Sequence, residues 1–220
     1  MTDFNQARLN MIDGQVHPAG VVDTSILQSF GIIPREMFVP EKLQHVAYTD
    51  ECVDIGQKRF LMEPIVHAKL LQAVHPRKED VVLDIGIGSG YSSAVLSSIV
   101  TTIIALEKNK RQMDKATRLW ESFDMCNIAL IQGKLNEGAP DHAPYSLILI
   151  NGAVERVPEM LLDQMDIGGR LATVVKEKDN LVGQATLFLK NADSSVSSKP
   201  LFDAGVPYLE GFEPQPEFQF

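Results

Sequence analysis

Short apolar runs alternate with amphipathic segments through the chain from residue 80 onward. The runs are rich in valine, isoleucine and leucine and cover residues 81–85, 102–107, 127–132, 146–150 and 170–175. Between them, apolar positions recur at helical spacing in residues 92–99, 110–123 and 158–165. Continuous apolar strands separated by helices are typical of a parallel sheet covered on both faces, with right-handed crossovers. The pattern therefore predicts an α/β fold with a doubly wound, mostly parallel sheet.

The first third of the chain instead predicts helices and loops. Residues 3–13 carry an imperfect helical stripe. Asp23 or Thr24 is suited to cap a short helix that ends at Gly31. Pro64 is suited to the first turn of a longer helix, where a missing N–H costs nothing.

The end of the chain predicts a closing hairpin and an acidic arm. Residues 186–189 and 196–202 flank a polar turn. The last eighteen residues hold three prolines and four acidic residues but no base, which is typical of an arm or a disordered tail. We therefore predict one domain, with a helical N-terminal segment at residues 1–78, an α/β core at 79–202 and the arm at 203–220.

Composition and charge narrow the function classes. The 220 residues are 45% hydrophobic, and 20 basic against 29 acidic side chains give a net charge of −9. Such a chain does not suit nonspecific nucleic-acid binding, which depends on basic contacts to phosphates. The longest apolar stretch, residues 94–106, is shorter than the roughly 20 residues of a membrane span, and the first ten residues lack a secretory signal. We expect a cytoplasmic protein that binds neither nucleic acid nor membranes.

Cysteine and histidine placement argues against several kinds of site. The two cysteines, Cys52 and Cys126, do not make a disulfide framework or a zinc site. The five histidines are scattered without metal-ligand spacing, so we predict no metal site. No lysine directly follows the glycines at residues 86–90, which excludes a triphosphate-binding P-loop.

A glycine-rich turn follows the first predicted strand. Residues 81–91 read VVLDIGIGSGY, an apolar strand that runs into three glycines and then a predicted helix. Open α/β sheets bind ligands at this edge. A dinucleotide-binding fingerprint needs its third glycine at position 91, where this chain has tyrosine. By itself, a turn of this kind is also typical of a tight structural bend.

Two carboxylates beside this turn favour a cationic ligand. Asp84 lies two residues before Gly86, where it would repel a pyrophosphate but suit a sulfonium and an ammonium group. S-adenosylmethionine carries both groups and no phosphate. Glu107 ends the next strand, 21 residues after Gly86, at a spacing that lets a carboxylate accept hydrogen bonds from a ribose diol. The combination predicts an S-adenosylmethionine site.

Several further segments carry a family resemblance. They are PREMFVP at residues 34–40, AYTD at 47–50, IG at 55–56, VLDIGIGSGYSSAVL at 82–96, APY at 143–145 and GGRL at 168–171. They resemble the PRExFVP, AYxD…IG, VLEIGTGSGYxxAVL, APYD and GGRL segments of the protein-L-isoaspartate O-methyltransferases. This family is a branch of the class I S-adenosylmethionine-dependent methyltransferases.

The resemblance implies a fold, a reaction and a set of site residues. The fold is a doubly wound, seven-stranded sheet with extra N-terminal helices. The reaction transfers a methyl group from S-adenosylmethionine, leaving S-adenosylhomocysteine, to the carboxylate of isoaspartyl residues in damaged proteins. The acceptor is a protein, a peptide or a small molecule, and we expect a monomer or a weak dimer. The implied cofactor residues are Asp84, Gly86, Ile87, Gly88, Gly90, Glu107, Lys108, Gly133, Lys134, Leu135 and Asn151.

The acceptor-binding segment departs from the family pattern. Where the family reads GQTIS, residues 58–62 read KRFLM. The family's catalytic serine falls on Met62 and its threonine on Phe60, and Arg59 adds a cation, so these three are the candidate catalytic residues. Lys134 replaces an aspartate that accepts from the adenine amine in the family, and a lysine ammonium cannot accept.

These departures leave three hypotheses. The first is isoaspartyl methylation. The second is methyl transfer to a different acceptor, either anionic and steered by the cations at residues 58–59 or apolar and held by residues 60–62. The third is a non-catalytic protein that binds S-adenosylmethionine.

Overall fold

The computed structural model describes residues 3–214 of the chain. Its helices are α1 (Phe4–Met11), α2 (Thr24–Ile32), α3 (Pro64–Val74), α4 (Tyr91–Ser97), α5 (Lys110–Ser122) and α6 (Glu159–Asp163). Its strands are β1 (Val53–Gly56), β2 (Arg59–Leu61), β3 (Val81–Ile85), β4 (Thr102–Glu107), β5 (Ile128–Gln132), β6 (Tyr145–Val154), β7 (Met165–Val175), β8 (Gly183–Lys190) and β9 (Val196–Ala204). None of the helices in this part of the chain is both long and apolar enough to cross a membrane.

Within the described residues, seven strands form one sheet in the order β5-β4-β3-β6-β7-β8-β9. Strands β3 to β7 run parallel, and β8 and β9 are antiparallel to their neighbours. The chain moves outward from β3 to β5 and then returns to β6 on the other side of β3. This reversal makes the carboxyl edge between β3, β4 and β6 the ligand-binding edge of such a sheet. The predicted doubly wound α/β fold is confirmed.

The core lies on both faces of the sheet because side chains alternate along each strand. Val82 and Leu147 pack with the helices of the first third of the chain, whereas Leu83 and Ile148 belong to the cluster on the opposite face. Residues of β3, β4 and β6 are buried almost throughout, as expected for parallel strands covered on two sides.

Helix boundaries follow local capping chemistry. The carboxylate of Asp23 accepts from the first backbone N–H groups of α2, and Asn109 does the same for α5. Pro64 occupies the first turn of α3, as predicted. The π-helix Ile12–Val16 continues from α1, where the sequence predicts one helix over residues 3–13.

The segment around residue 160 differs from its prediction. The pattern predicts a helix over residues 158–165, but α6 spans only Glu159–Asp163. The backbone N–H of Tyr145 donates to the carbonyl of Gln164 at 2.8 Å, and Met165 pairs with Tyr145 as the first residue of β7. Pairing with the sheet therefore ends the helix early.

Two segments from outside the main sheet reach its carboxyl edge. One is the β1–β2 hairpin (residues 53–61), whose turn residues Gln57 and Lys58 have positive φ angles of 58° and 57°. The other is the C-terminal strap, which we define as residues 205–214. Ala153 holds the strap, because its N–H donates to Pro207 and its carbonyl accepts from Leu209, both at 2.9 Å. Of the rest of the predicted arm, residues 203–204 belong to β9, and residues 215–220 lie outside the described residues.

Candidate functional site

A buried carboxylate lies at the carboxyl end of β3. Asp84 accepts from the hydroxyl of Ser92 at 2.6 and 2.7 Å, from the hydroxyl of Ser93 at 2.6 Å and from the amide of Asn151 at 2.6 Å. Burial raises the pKa of Asp84, and the three hydrogen-bonding side chains oppose that rise. The amide of Asn151 also donates to the carbonyl of Ile85 at 3.0 Å, which ties β6 to the tip of β3.

The turn after β3 is built from three glycines in the left-handed region. Gly86, Gly88 and Gly90 have φ angles of 72°, 54° and 90°, which residues other than glycine adopt only with backbone strain. At Gly90 the indole of Trp120 packs so closely that a Cβ would lie 2.7 Å from it, and its Nε1 donates to the Gly90 carbonyl at 2.9 Å. Helix α5 therefore fixes the end of the turn where α4 begins.

The second carboxylate, Glu107, lies at the tip of β4 and is fully buried. The backbone N–H groups of Gly88, Lys108 and Asn109 donate to it at 3.0, 2.8 and 2.9 Å. The guanidinium of Arg59 adds a two-pronged ion pair, with Nη2 2.7 Å from Oε1 and Nε 2.9 Å from Oε2. The carboxylate predicted to receive a ribose diol thus binds a side chain of the β1–β2 hairpin.

Arg59 is 1% exposed and links Glu107 to the C-terminal strap. Its Nη1 lies 3.2 Å from the carboxylate of Glu210, which also pairs with Lys108 at 3.1 Å. Burial alone would lower the pKa of Arg59, but the two carboxylates that face it raise that pKa. The hydrogen bond from Lys108 is the main reason that the pKa of Glu210 is lowered.

The remaining acceptor-segment candidates line a small cavity of mixed polarity. Met62 is 5% exposed, and its carbonyl accepts from the buried Arg35 at 2.6 Å, which fixes the backbone there. A cavity of about 20 Å³ is lined by Phe60, Leu61, Met62, His67, Gly86, Ile87, Tyr91, Ser92 and Asn151. Such a volume holds roughly one water molecule. Burial and the charge of Arg35 lower the pKa of His67 to about 3, so this imidazole is neutral at pH 7.

The residues predicted to face the adenine lie at the end of β5. Leu135 is buried, whereas Lys134 is exposed and pairs with Glu137 at 2.7 Å. Gly133 donates its N–H to the carbonyl of Glu107 at 3.2 Å, which keeps this loop next to the β4 tip. A cavity of about 320 Å³ opens between this loop and residues 137–142.

The donor set at this edge suits S-adenosylmethionine, but the side chains of the chain itself cover it. Asp84 and Glu107 supply carboxylate acceptors for an ammonium and a diol, and the amide of Asn151 holds Asp84 in place. A Cβ on Gly86 would lie 2.7 Å from Leu209, and one on Gly88 would lie 2.7 Å from Ile55. Ligand pockets usually measure roughly 300–1,000 Å³, far more than the cavity beside Gly86. The chemistry fits the cofactor, and the conformation is closed.

The structure brings most of the predicted cofactor residues together at one edge and places Arg59 among them. Sequence reasoning missed the roles of Ile55, Leu209 and Glu210 at this edge. Two signals were present: an arginine where the family has glutamine, and an acidic C-terminal segment without a base to balance it. Among residues 3–214, no three histidine, cysteine or acidic side chains are grouped as metal ligands.

Comparison with known proteins gives a consistent match along the chain. Residues 8–209 match the model of the family described as protein-L-isoaspartate(D-aspartate) O-methyltransferase. A protein-L-isoaspartate O-methyltransferase of Roseiflexus sp. is 32% identical over 210 residues, covering 95% of this chain and 94% of the relative. One of Synechococcus sp. is 35% identical over 174 residues, covering 79% and 71%.

Solved structures agree in fold. A protein-L-isoaspartate O-methyltransferase superposes with a TM-score of 0.79 at 26% identity, covering 93% of this chain and 66% of the other. A Plasmodium falciparum protein described as a putative enzyme of this kind, in complex with S-adenosyl-L-homocysteine, gives a TM-score of 0.75 at 16% identity. That match covers 96% of this chain and 99% of the other, and it bears on the fold alone.

Proposed function

The chain belongs to the protein-L-isoaspartate(D-aspartate) O-methyltransferase family, and we propose from this premise that it methylates isoaspartyl carboxylates in proteins with S-adenosylmethionine as donor. The single observation that carries the proposal is the family match over residues 8–209, nearly the whole chain. The class I fold and the paired acidic strand tips support the same donor. A peptide or protein is the acceptor, and a monomeric or weakly dimeric state and a cytoplasmic location stay predictions.

The donor site is formed by groups at the carboxyl ends of β3 and β4 and on the neighbouring strand β6. Asp84 would hold the cationic end of the donor, Glu107 its ribose diol, and Asn151 would orient the carboxylate of Asp84. Gly86 and Gly88 let the backbone approach the ligand, since neither has a Cβ. Leu135 and Gly133 would border the adenine, where Lys134 offers no acceptor. When bound, the donor supplies a methyl group on a sulfonium, which is already activated for displacement.

The protein's part in the reaction is alignment and exclusion of water. An isoaspartyl carboxylate with an ordinary pKa near 4 is ionised at neutral pH, so the reaction needs no general base. Holding two reactants in line is worth up to about 7–11 kcal/mol. Met62 and Phe60 supply no hydrogen bond to the acceptor, which costs about 1.5–3 kcal/mol relative to a serine that donates to a carboxylate. We therefore expect slow rather than absent turnover.

An isoaspartyl peptide assay tests the proposal. The purified chain is incubated with methyl-labelled S-adenosylmethionine and an isoaspartyl peptide, and base-labile methyl esters are counted. The matched control is the same peptide with a normal aspartyl bond. We expect label on the isoaspartyl peptide alone, and no label at high enzyme concentration would refute the proposal.

A second candidate keeps the methyl transfer and changes the acceptor. The observation that favours it is the acceptor wall (Phe60, Leu61 and Met62), where Phe60 and Met62 line the cavity at the positions of the family's threonine and serine. Methylation of fractionated cell extract distinguishes the two. If a small molecule in the extract becomes labelled and the isoaspartyl peptide does not, the second candidate is supported. If only the peptide becomes labelled, the second candidate is rejected.

A further inference from the structure

The acceptor positions of the Glu107 carboxylate are saturated by the chain itself. Three backbone N–H groups and two N–H groups of Arg59 donate to its two oxygens. A carboxylate offers about four lone-pair positions, so five donors leave none for a ligand. The backbone donors belong to the turn and to the start of α5. Arg59 is thus the member of this set that can leave without unfolding either element.

Apolar side chains take the space above the glycine turn. Ile55 of the hairpin lies over Gly88, and Leu209 of the strap lies over Gly86 and also over Gly152, each within 2.8 Å of where a Cβ would stand. Leu209 is fully buried and Ile55 is 8% exposed. The glycines that would admit a ligand therefore admit the chain's own side chains.

Glu210 couples the two covering segments. It pairs with Arg59 of the hairpin at 3.2 Å and with Lys108, next to Glu107, at 3.1 Å. The hairpin is also tied by Gln112, whose amide donates to the carbonyls of Ile55 and Gly56 at 3.1 and 3.0 Å, and by Asn109, whose amide donates to Gln57 in the turn at 3.2 Å. Moving Arg59 away from Glu107 therefore breaks its link to the strap as well.

We propose that Arg59 and the C-terminal strap lock the donor cleft, and that S-adenosylmethionine binds only after Arg59 leaves Glu107. The inference rests on the proposed function, since it takes this cleft as the donor site. Arg59 acts as an internal competitor for the carboxylate that receives the ribose. The measured affinity is then the intrinsic affinity reduced by the fraction of molecules in which the cleft is open.

The test is binding of S-adenosylhomocysteine, which reports on the cleft without turnover. Calorimetry compares the full-length chain with Arg59→Gln, which carries the family's residue at this position and cannot form the two-pronged ion pair. The matched control is Arg170→Gln. It removes a different buried ion pair, in which Arg170 lies 2.6 Å from Asp80, at the opposite end of β3 from the cleft. We expect Arg59→Gln to bind about tenfold or more tightly than the wild type, and Arg170→Gln to bind like the wild type.

If a folded Arg59→Gln variant binds S-adenosylhomocysteine no more tightly than the wild type, the lock is overturned. It is also overturned if neither the wild type nor Arg59→Gln binds this ligand. If circular dichroism shows that Arg59→Gln is unfolded, Glu210→Gln decides. This side chain is 27% exposed, and its substitution removes the ion pairs of the strap with Arg59 and Lys108 without touching Glu107. Association of S-adenosylhomocysteine should then be faster by about two- to fivefold, and an unchanged rate overturns the proposal.

The lock and the proposed function fail separately. Tighter binding by Arg59→Gln without any methyl transfer to isoaspartyl peptide keeps the lock and rejects the function. Methyl transfer by the wild type with no gain in affinity on Arg59→Gln keeps the function and rejects the lock.

Discussion

Replacing Met62 by serine should raise methyl transfer to an isoaspartyl peptide. Met62 stands where the family has its catalytic serine, its side chain lines the small cavity, and its carbonyl is held by Arg35 at 2.6 Å. The backbone therefore stays in place and presents the new hydroxyl to the same space. A hydrogen bond from that hydroxyl to a carboxylate is worth about 1.5–3 kcal/mol, which corresponds to an increase in kcat/KM of about 10- to 150-fold.

The same substitution removes a buried methionine side chain. Truncating such a side chain costs about 2–5 kcal/mol of folding free energy, so we expect a lower melting temperature together with the higher activity. Met62→Ala is the matched control, because it opens the same space without adding a hydroxyl. The readout is kcat/KM with isoaspartyl peptide for the three proteins. Equal activity of the serine and alanine variants would show that enlargement of the cavity, and not the hydroxyl, accounts for any gain.

Three further predictions concern the supports of the site. Because burial and Arg35 lower the pKa of His67 to about 3, the unfolded chain takes up a proton below its ordinary pKa of about 6.5 that the folded protein does not. The contribution of this group to the free energy of unfolding is complete above pH 6.5 and is lost as the pH falls toward 3, by up to about 1.4 kcal/mol per pH unit. In denaturant unfolding between pH 7 and 4, the free energy of unfolding should therefore fall less steeply for His67→Gln than for the wild type, and parallel curves would contradict this. Gly90→Ala should destabilise the fold by about 1–3 kcal/mol, since its φ is 90° and Trp120 lies 2.7 Å from the added Cβ. Gly14→Ala is the control, because its added Cβ meets no atom within 4 Å, and equal melting temperatures of the two variants would refute the close packing at Gly90. Asp84→Asn should weaken S-adenosylhomocysteine binding in calorimetry by about 1–3 kcal/mol, because the carboxylate that faces Ser92, Ser93 and Asn151 loses its charge; unchanged affinity would remove Asp84 from the donor site.

The α/β core follows from the sequence because its strands are buried on both faces. Strands β3 and β4 show continuous apolar runs at their observed positions, and the glycine turn between β3 and α4 follows from local chemistry at residues 86–90. The closing hairpin of β8 and β9 is predicted too, although both strands are longer than expected. The added residues alternate between small buried ones, such as Ala185 and Ala204, and exposed polar ones, Gln184 and Asp203, so no continuous apolar run marks these strand ends.

The closed state of the cleft could not be predicted from local pattern. Arg59 and Glu107 are 48 residues apart, and Arg59 and Glu210 are 151 apart, so these ion pairs depend on the packed fold. Strands β1 and β2 are only four and three residues long; β1 includes the exposed Asp54, and β2 buries the charged Arg59. Sequence reasoning treats Arg59 as a cation that faces the acceptor, whereas the fold buries it against Glu107.

A crystal structure of the chain with S-adenosylhomocysteine tests most directly whether the two acidic strand tips form the donor site. We expect the ligand beside the glycine turn, with its ribose hydroxyls on Glu107, its amino group near Asp84, and Arg59 moved off the Glu107 carboxylate. A ligand bound elsewhere on the protein, with the Arg59–Glu107 pair intact, would contradict this assignment of the site.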